Sequence, residues 1–378
     1  AMIMAILVSV VVAFFAGLFV QYLLRLIFSF NYERYYKLFG GIYGGVSLTA
    51  VFYFLVIKGA KGASFMQPEW ISWIGANTTE LLLGCFAILT VLFQALIMAL
   101  RINIFPIIIL AGTFSLAFAF AGNDLVNFIG VPLASYDAWQ IARETGSESI
   151  MMGELAEPAR ANFLLLLASG LVMVLTLFFS KKSQHVTETE LSLASQHEGD
   201  ERFGSTLISR SLVRATLVMN TMWTGLIPAR VQKAIDRRFE PLPAEERSSA
   251  PYDMIRATVN LTTSAMLIAI ATSLKLPLST TYVCFMVAMG SSLADRAWGR
   301  ESAVYRISGV MTVVAGWFIT ALGGFLIAFV VGLALIYGGT VAFVIVTLLC
   351  GYMLIHSNFL KKGKSCLLYT SDAADDRI

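Results

Sequence analysis

The residues best suited to chemistry stand in the segment AFAGNDLVNFIGVPLA, where Asn123, Asp124 and Asn127 follow directly on an apolar run. A carboxylate at membrane depth costs about 2.5 to 3.5 kcal/mol on insertion scales, so a residue kept there defaults to function. On a short helix Asn127 would follow Asn123 by one turn, which projects all three side chains to roughly one face. One carboxylate flanked by two amides is rich in oxygen. It suits a small alkali cation or a proton, and the amides can also donate to an oxyanion. Gly122, Gly130 and Pro132 bracket the group and predict a weakened helix whose freed carbonyls and amides would add ligands. The competing reading is structural: Asp124 pairs with a buried Arg, a Thr or a backbone amide and stitches helices together.

The second group lies in LKLPLSTTYVCFMVAMGSSLADRAW. Pro277 ends the preceding helix, and Ser279, Thr280 and Thr281 offer three successive hydroxyls before a new apolar run, with Ser279 as the expected N-cap. A helix start carries free N–H groups and partial positive charge, so hydroxyls clustered there can hold phosphate or sulfate without Lys or Arg. An ordinary cap at a proline kink is the plain alternative. The run from Tyr282 to Leu293 is short for a span, which predicts one arm of a re-entrant hairpin with its tip, Pro277 to Thr281, at the bilayer midplane and both feet cytoplasmic. Asn260, Thr262 and Thr263 on the first arm read as interhelical glue.

The elements that must position these groups follow from composition. Of 378 residues, 57% are hydrophobic and 13% charged, and the mean hydropathy is +0.75. A typical soluble domain carries about 25% charge. A soluble enzyme, a disordered scaffold and a nucleic-acid binder are thereby excluded, and the net charge of +3 is too balanced to call for a polyanionic partner. The chain reads as an all-α polytopic membrane protein. Cys85, Cys284, Cys350 and Cys366 are scattered and form no redox or zinc pair.

Seven or eight apolar segments are long enough to cross: Ala5 to Ile27, Leu38 to Ile57, Leu81 to Leu100, Ile102 to Ala121, Ala161 to Ser180, Ala257 to Leu276, Gly309 to Tyr337 and Val341 to His356. The last two are divided by Gly338-Gly339, a turn or a kink. Arg34, Lys37, Arg101, Lys181, Lys182, Arg296, Arg300, Arg306, Lys361, Lys362 and Lys364 fall on alternate connections, which assigns that side to the cytoplasm. The acidic stretch from Tyr136 to Arg160 falls opposite, and Lys58 and Lys61 break the pattern. Residues 181-250 form a cytoplasmic insert in which Phe203, Leu207, Ile208, Leu212 and Val213 recur at helical spacing, as in a surface helix or a connector packed beneath the bundle. His185 and His197 within it read as solvated.

In these two motifs the sequence resembles the inorganic phosphate transporter (PiT) family, whose hallmarks are a GANDxxNA-type element and a later P-x-S-T-T element in each of two inverted repeats. Here the first reads Ala121-Gly122-Asn123-Asp124-Leu125-Val126-Asn127, with Phe128 in place of the usual alanine. The second reads Pro277-Leu278-Ser279-Thr280-Thr281, with Tyr282 where histidine is frequent. The resemblance covers Ile102 to Tyr337. It implies an inverted-repeat transporter fold with broken helices and a re-entrant hairpin, cation-coupled symport of inorganic phosphate driven by Na⁺ or H⁺, no cofactor beyond Na⁺ as coupling ion, a homodimer, and a multi-pass protein of the bacterial inner (cytoplasmic) membrane. It further implies that Asn123, Asp124 and Asn127 are shared between substrate and cation, that Ser279, Thr280 and Thr281 hold phosphate oxygens, and that Thr281 also faces the cation.

Each motif occurs once, so the chain resembles the second repeat, carrying about half of a complete site. The expected divisions are 1-121, membrane helices before the motif repeat; 122-180, the Asn-Asp motif and following helix; 181-250, the insert; 251-356, hairpin and terminal helices; and 357-378, a tail. A start at Ala1 inside an apolar run suggests truncation, and SCLLYTSDAADDRI reads as a non-native scar. Sulfate permeation is the competing transport reading. An intramembrane hydrolase using Ser279, which would need a base that His185, His197 and His356 are poorly placed to supply, and a passive scaffold are the readings of other classes.

Overall fold

The computed structural model describes residues 2–30, 33–59, 66–146, 162–179, 228–239, 253–274, 276, 278–295 and 300–356. The elements are α1 (Met2–Phe28), α2 (Glu33–Phe52) continuing into a π-helical stretch (Tyr53–Gly59), α3 (Pro68–Ala76), α4 (Thr78–Ala99), α5 (Phe105–Thr145), α6 (Phe163–Phe179), α7 (Ala229–Arg238), α8 (Met254–Ser273), α9 (Thr280–Ala294) and α10 (Arg300–Ile355). Among the described residues all regular structure is helical. Among these residues six helices are long and apolar enough to cross a membrane: α1, α2, α4, α5, α8 and α10. The chain is an all-α, multi-pass membrane protein. Backbone amides in hydrocarbon must be satisfied within their own segment, which is why apolar runs of this length become helices.

The predicted segments map onto these helices with two differences in length. α6 has 17 residues and falls short of a full span, and α5 carries the span predicted over Ile102 to Ala121 on to Thr145; the last two predicted spans are two helices that meet within α10 at the expected kink, where Gly339 has a left-handed backbone (φ 50°, ψ −137°). Two short helices, α3 and α7, were not legible as elements. The expected surface helix at Phe203 to Val213, Pro277, and the tail from 357 lie outside the described residues.

The described residues fall into two units, one holding α1 to α9 and the other nearly all of α10. In the first, α2 packs on α4 through the run GGIYGG. A Cβ at Gly41 would lie 2.9 Å from Gln94 Cβ, and one at Gly44 2.8 Å from Phe93 Cδ2, so only glycines allow this approach. The same device joins α1 to α9: a Cβ on Gly17 would press into Val287, and one on Gly290 into the backbone of Phe14 and Leu18. Around these contacts Phe28, Tyr43, Phe93, Phe105, Ile108 and Ile255 form one apolar core, and Ala13, Ile268, Val283 and Val287 another. Large apolar side chains such as Phe15, Leu171 and Phe178 are exposed on the outer faces, as lipid contact requires.

α8 and α9 form the expected antiparallel hairpin. Ser291 Oγ donates to Asn260 Oδ1 at 2.6 Å and Arg256 Nη1 to Ser292 Oγ at 3.4 Å, so the end of α9 lies beside the start of α8. Asn260 thus acts as interhelical glue. The arms are unequal. α8 has 20 residues, about 30 Å at 1.5 Å per residue, which is a full crossing and not the half-depth that the short second arm predicts. The tip therefore lies toward the end of the bundle away from the hairpin feet.

α5 brings the second correction. Its 41 residues run unbroken through Gly122, Gly130 and Pro132, where the sequence predicts interrupted helix. An interior proline removes one intrahelical hydrogen bond, and glycine costs about 1 kcal/mol relative to alanine.

Candidate functional site

Two helix ends, the last turn of α8 and the start of α9, meet the middle of α5 at Asn123 and Asp124. Ser279 is extended (φ −98°, ψ 120°) and starts α9, so Thr280 becomes the first helical residue. Thr280 is buried, and its Oγ1 donates to both carboxylate oxygens of Asp124, at 2.9 Å to Oδ2 and 3.1 Å to Oδ1. One residue earlier on α5, Asn123 Nδ2 donates to Thr272 Oγ1 at 3.2 Å, close to the end of α8. Adjacent side chains of α5 therefore hold opposite sides of the hairpin tip. The first amides of α9 lack intrahelical acceptors, and the helix start is electropositive beside the carboxylate.

The other predicted residues are placed less centrally. Ser279 occupies the N-cap position but makes no side-chain cap bond, contrary to expectation. Thr281 is exposed, and of the three successive hydroxyls only that of Thr280 reaches Asp124. Asn127 belongs to α5, and its side chain lies outside the described residues. Thr272 was not singled out from the sequence. A hydroxyl in the last turn of the first arm, facing the same tip as Thr280, is the signal that would have found it.

Two spaces lie near the site, one lined by Asp124 and the other by Gly122 and Thr272 but by neither residue of the Asn-Asp pair. Asp124 lines a cleft of about 1070 Å³ between α5 and α6, otherwise walled mainly by apolar side chains such as Phe120, Phe128 and Leu165. Gly122 and Thr272 line a smaller cavity of about 450 Å³ with Phe54, Ser115 and Ser273. The large cleft has the character of a lipid-facing surface. The smaller one carries the hydroxyls, and it is the better candidate for a polar solute.

At the other end of the hairpin lies a cluster that the sequence reading did not identify. Arg25 of α1 and Asp295 at the end of α9 are both fully buried and form a bidentate pair, Nη2 to Oδ2 at 2.6 Å and Nε to Oδ1 at 2.9 Å. Gln21 Nε2 donates to Asp295 Oδ1 at 2.8 Å. Asp253, the N-cap of α8, accepts from the Arg256 amide at 2.9 Å and lies 3.3 Å from Arg25 Nη2. Burial pushes the Asp253 carboxyl up, but the Arg25 and Arg256 guanidiniums with that amide outweigh it and hold it below the ordinary carboxylate value. Two arginines and two aspartates balance, which is what lets the group stay buried. It fixes both feet of the hairpin to α1.

No protein-family profile, curated protein or solved structure matches the chain. The functional reading therefore rests on the site itself.

Proposed function

We propose that the chain supplies one half of the substrate site of a secondary active transporter for inorganic phosphate, coupled to Na⁺ or H⁺, within an inverted-repeat fold. The observation that carries this reading is the hydrogen bond from Thr280 to Asp124, because it joins the only Asn-Asp element to the only Ser-Thr-Thr element across 156 residues of sequence. A carboxylate offers about four lone-pair directions, and Thr280 occupies two of them. The remaining directions can accept a proton-bearing oxygen of HPO₄²⁻ or H₂PO₄⁻, or coordinate Na⁺. Sulfate at neutral pH has no proton to give to such an acceptor, which is the physical ground for preferring phosphate. With the Thr280 proton held by Asp124, the Thr272 hydroxyl and the free amides at the start of α9 are the donors for the unprotonated oxygens.

Coupling follows from the same carboxylate. A cation beside Asp124 neutralises it and lowers the repulsion that a bare carboxylate would exert on an arriving oxyanion, so each ligand promotes binding of the other. Inverted-repeat transporters build such sites where broken helices from the two repeats meet. A chain with one copy of each element supplies one set of ligands.

The test is uptake of radiolabelled phosphate into proteoliposomes under an imposed Na⁺ or proton gradient, using a transporter that holds this chain's two elements together with a second copy of each. Uptake falls to background in Asp124→Asn and Thr280→Ala, and arsenate competes where sulfate does not. Gradient-independent uptake, or uptake indifferent to both substitutions, overturns the reading. The present chain alone is expected to give none.

A further inference from the structure

Helix α7 (ARVQKAIDRR) carries Arg230, Lys233, Arg237 and Arg238 against a single acid, Asp236, within ten residues. Its last turn is fastened where two spanning helices end. Ser29 Oγ, just beyond α1, donates to the Arg238 carbonyl at 3.0 Å. Phe239 is buried and stacks on Tyr22 of α1 at 5.3 Å between ring centroids, and the Arg238 guanidinium lies 4.3 Å over the ring of Tyr35, the first residue of the second span. Ile235, Arg238 and Phe239 thus face the bundle, while Arg230, Lys233 and Arg237 are exposed. Lys37 of α2 and Arg101 after α4 are exposed at the same end, since Gln94 Nε2 donates to the Lys37 carbonyl and Tyr36 hydroxyl to the Ile102 carbonyl.

The geometry points to α7 as a docking surface for anionic phospholipid headgroups. Three exposed cations on one short helix, tied by its end to the termini of two spans, stand at the level where the bilayer presents its phosphates. Four or more Lys/Arg residues next to a span are the pattern that binds acidic lipid. Charge complementarity selects this occupant over a zwitterionic lipid, whose headgroup brings a competing cation. The inference is independent of the transport reading and uses none of its residues.

The experiment compares retention of phosphatidylglycerol and phosphatidylcholine by the purified chain in detergent micelles at low salt, counted by native mass spectrometry. The unaltered protein retains phosphatidylglycerol in preference. Each cation near an anionic surface strengthens association about fivefold, so Arg230→Gln, Lys233→Gln and Arg237→Gln together weaken retention on the order of a hundredfold, while phosphatidylcholine is unaffected. The charge-keeping pair Arg230→Lys and Arg237→Lys retains the lipid as the unaltered protein does, and added NaCl weakens it. Equal retention of the two lipids, no change in the triple variant, loss in the charge-keeping pair, or displacement of the lipid by an equal concentration of inorganic phosphate or of an acidic peptide would each overturn it.

Discussion

Thr280 shares its hydroxyl proton between both carboxylate oxygens of Asp124, so a helix start and a mid-helix acid are held together at the tip of a hairpin. A hydrogen bond to a charged acceptor contributes about 1.5 to 3 kcal/mol. Thr280→Val keeps the volume and removes the donor. It is expected to lower stability by about that amount and, under the proposed function, to abolish phosphate uptake in a transporter completed by a second copy of each element, whereas Thr280→Ser restores both. Thermal unfolding in detergent and vesicle uptake check the two halves, and a Val variant as active as the Ser variant would contradict the assignment.

Breaking the buried Arg25–Asp295 pair should be far more damaging than replacing it. Removal of one partner leaves an uncompensated charge and costs about 3 to 5 kcal/mol, while an apolar pair of similar volume is frequently neutral. Arg25→Met and Asp295→Leu are each expected to destabilise strongly, and the double substitution less than their sum. A double-mutant cycle by chemical unfolding measures the difference, and strict additivity would mean that the two side chains do not act as a pair.

Asp253 makes the stability of the hairpin feet depend on acid. Its carboxyl is held below the ordinary value of 3.8 by Arg25 and Arg256 after burial has pushed it up. A lowered folded-state pKa contributes stability that is present in full above the ordinary value and is lost as pH falls through the folded one. The unfolding temperature should therefore drop below about pH 4, and Asp253→Asn should flatten that drop while lowering stability at neutral pH. A pH series of melting curves on both proteins decides it.

Substituting the glycines of the α1–α9 contact tests how close those helices come. Alanine at Gly290 would meet the backbone of Phe14 and Leu18, which cannot rotate away. Overpacking of this kind costs about 1 to 3 kcal/mol. Gly84→Ala, with open space around it, is the control and is expected to be neutral or slightly stabilising. Equal melting temperatures for the two variants would show that α9 is not pressed against α1.

How much was legible in advance follows from the range of each interaction. The spans, the placement of Lys37 and Arg101 at one end of the bundle, and the hairpin turn after α8 were all readable, because hydropathy, charge bias and a proline with three hydroxyls act within a single segment. So were Asp124 and Thr280 as individual anomalies: a carboxylate in an apolar run is costly wherever that run ends up. Their contact was not readable, nor was the choice of Thr280 over Ser279 and Thr281, since it depends on the angle at which α9 starts. The unbroken course of α5 across Pro132 and the full length of α8 were also decided at this level. Arg25, Asp253, Arg256 and Asp295 look like ordinary span-end charges in the sequence. Only the packing of α1 against the hairpin removes them from water and turns four separate charges into one buried network, because the desolvation that forces them to pair exists only once the helices have met.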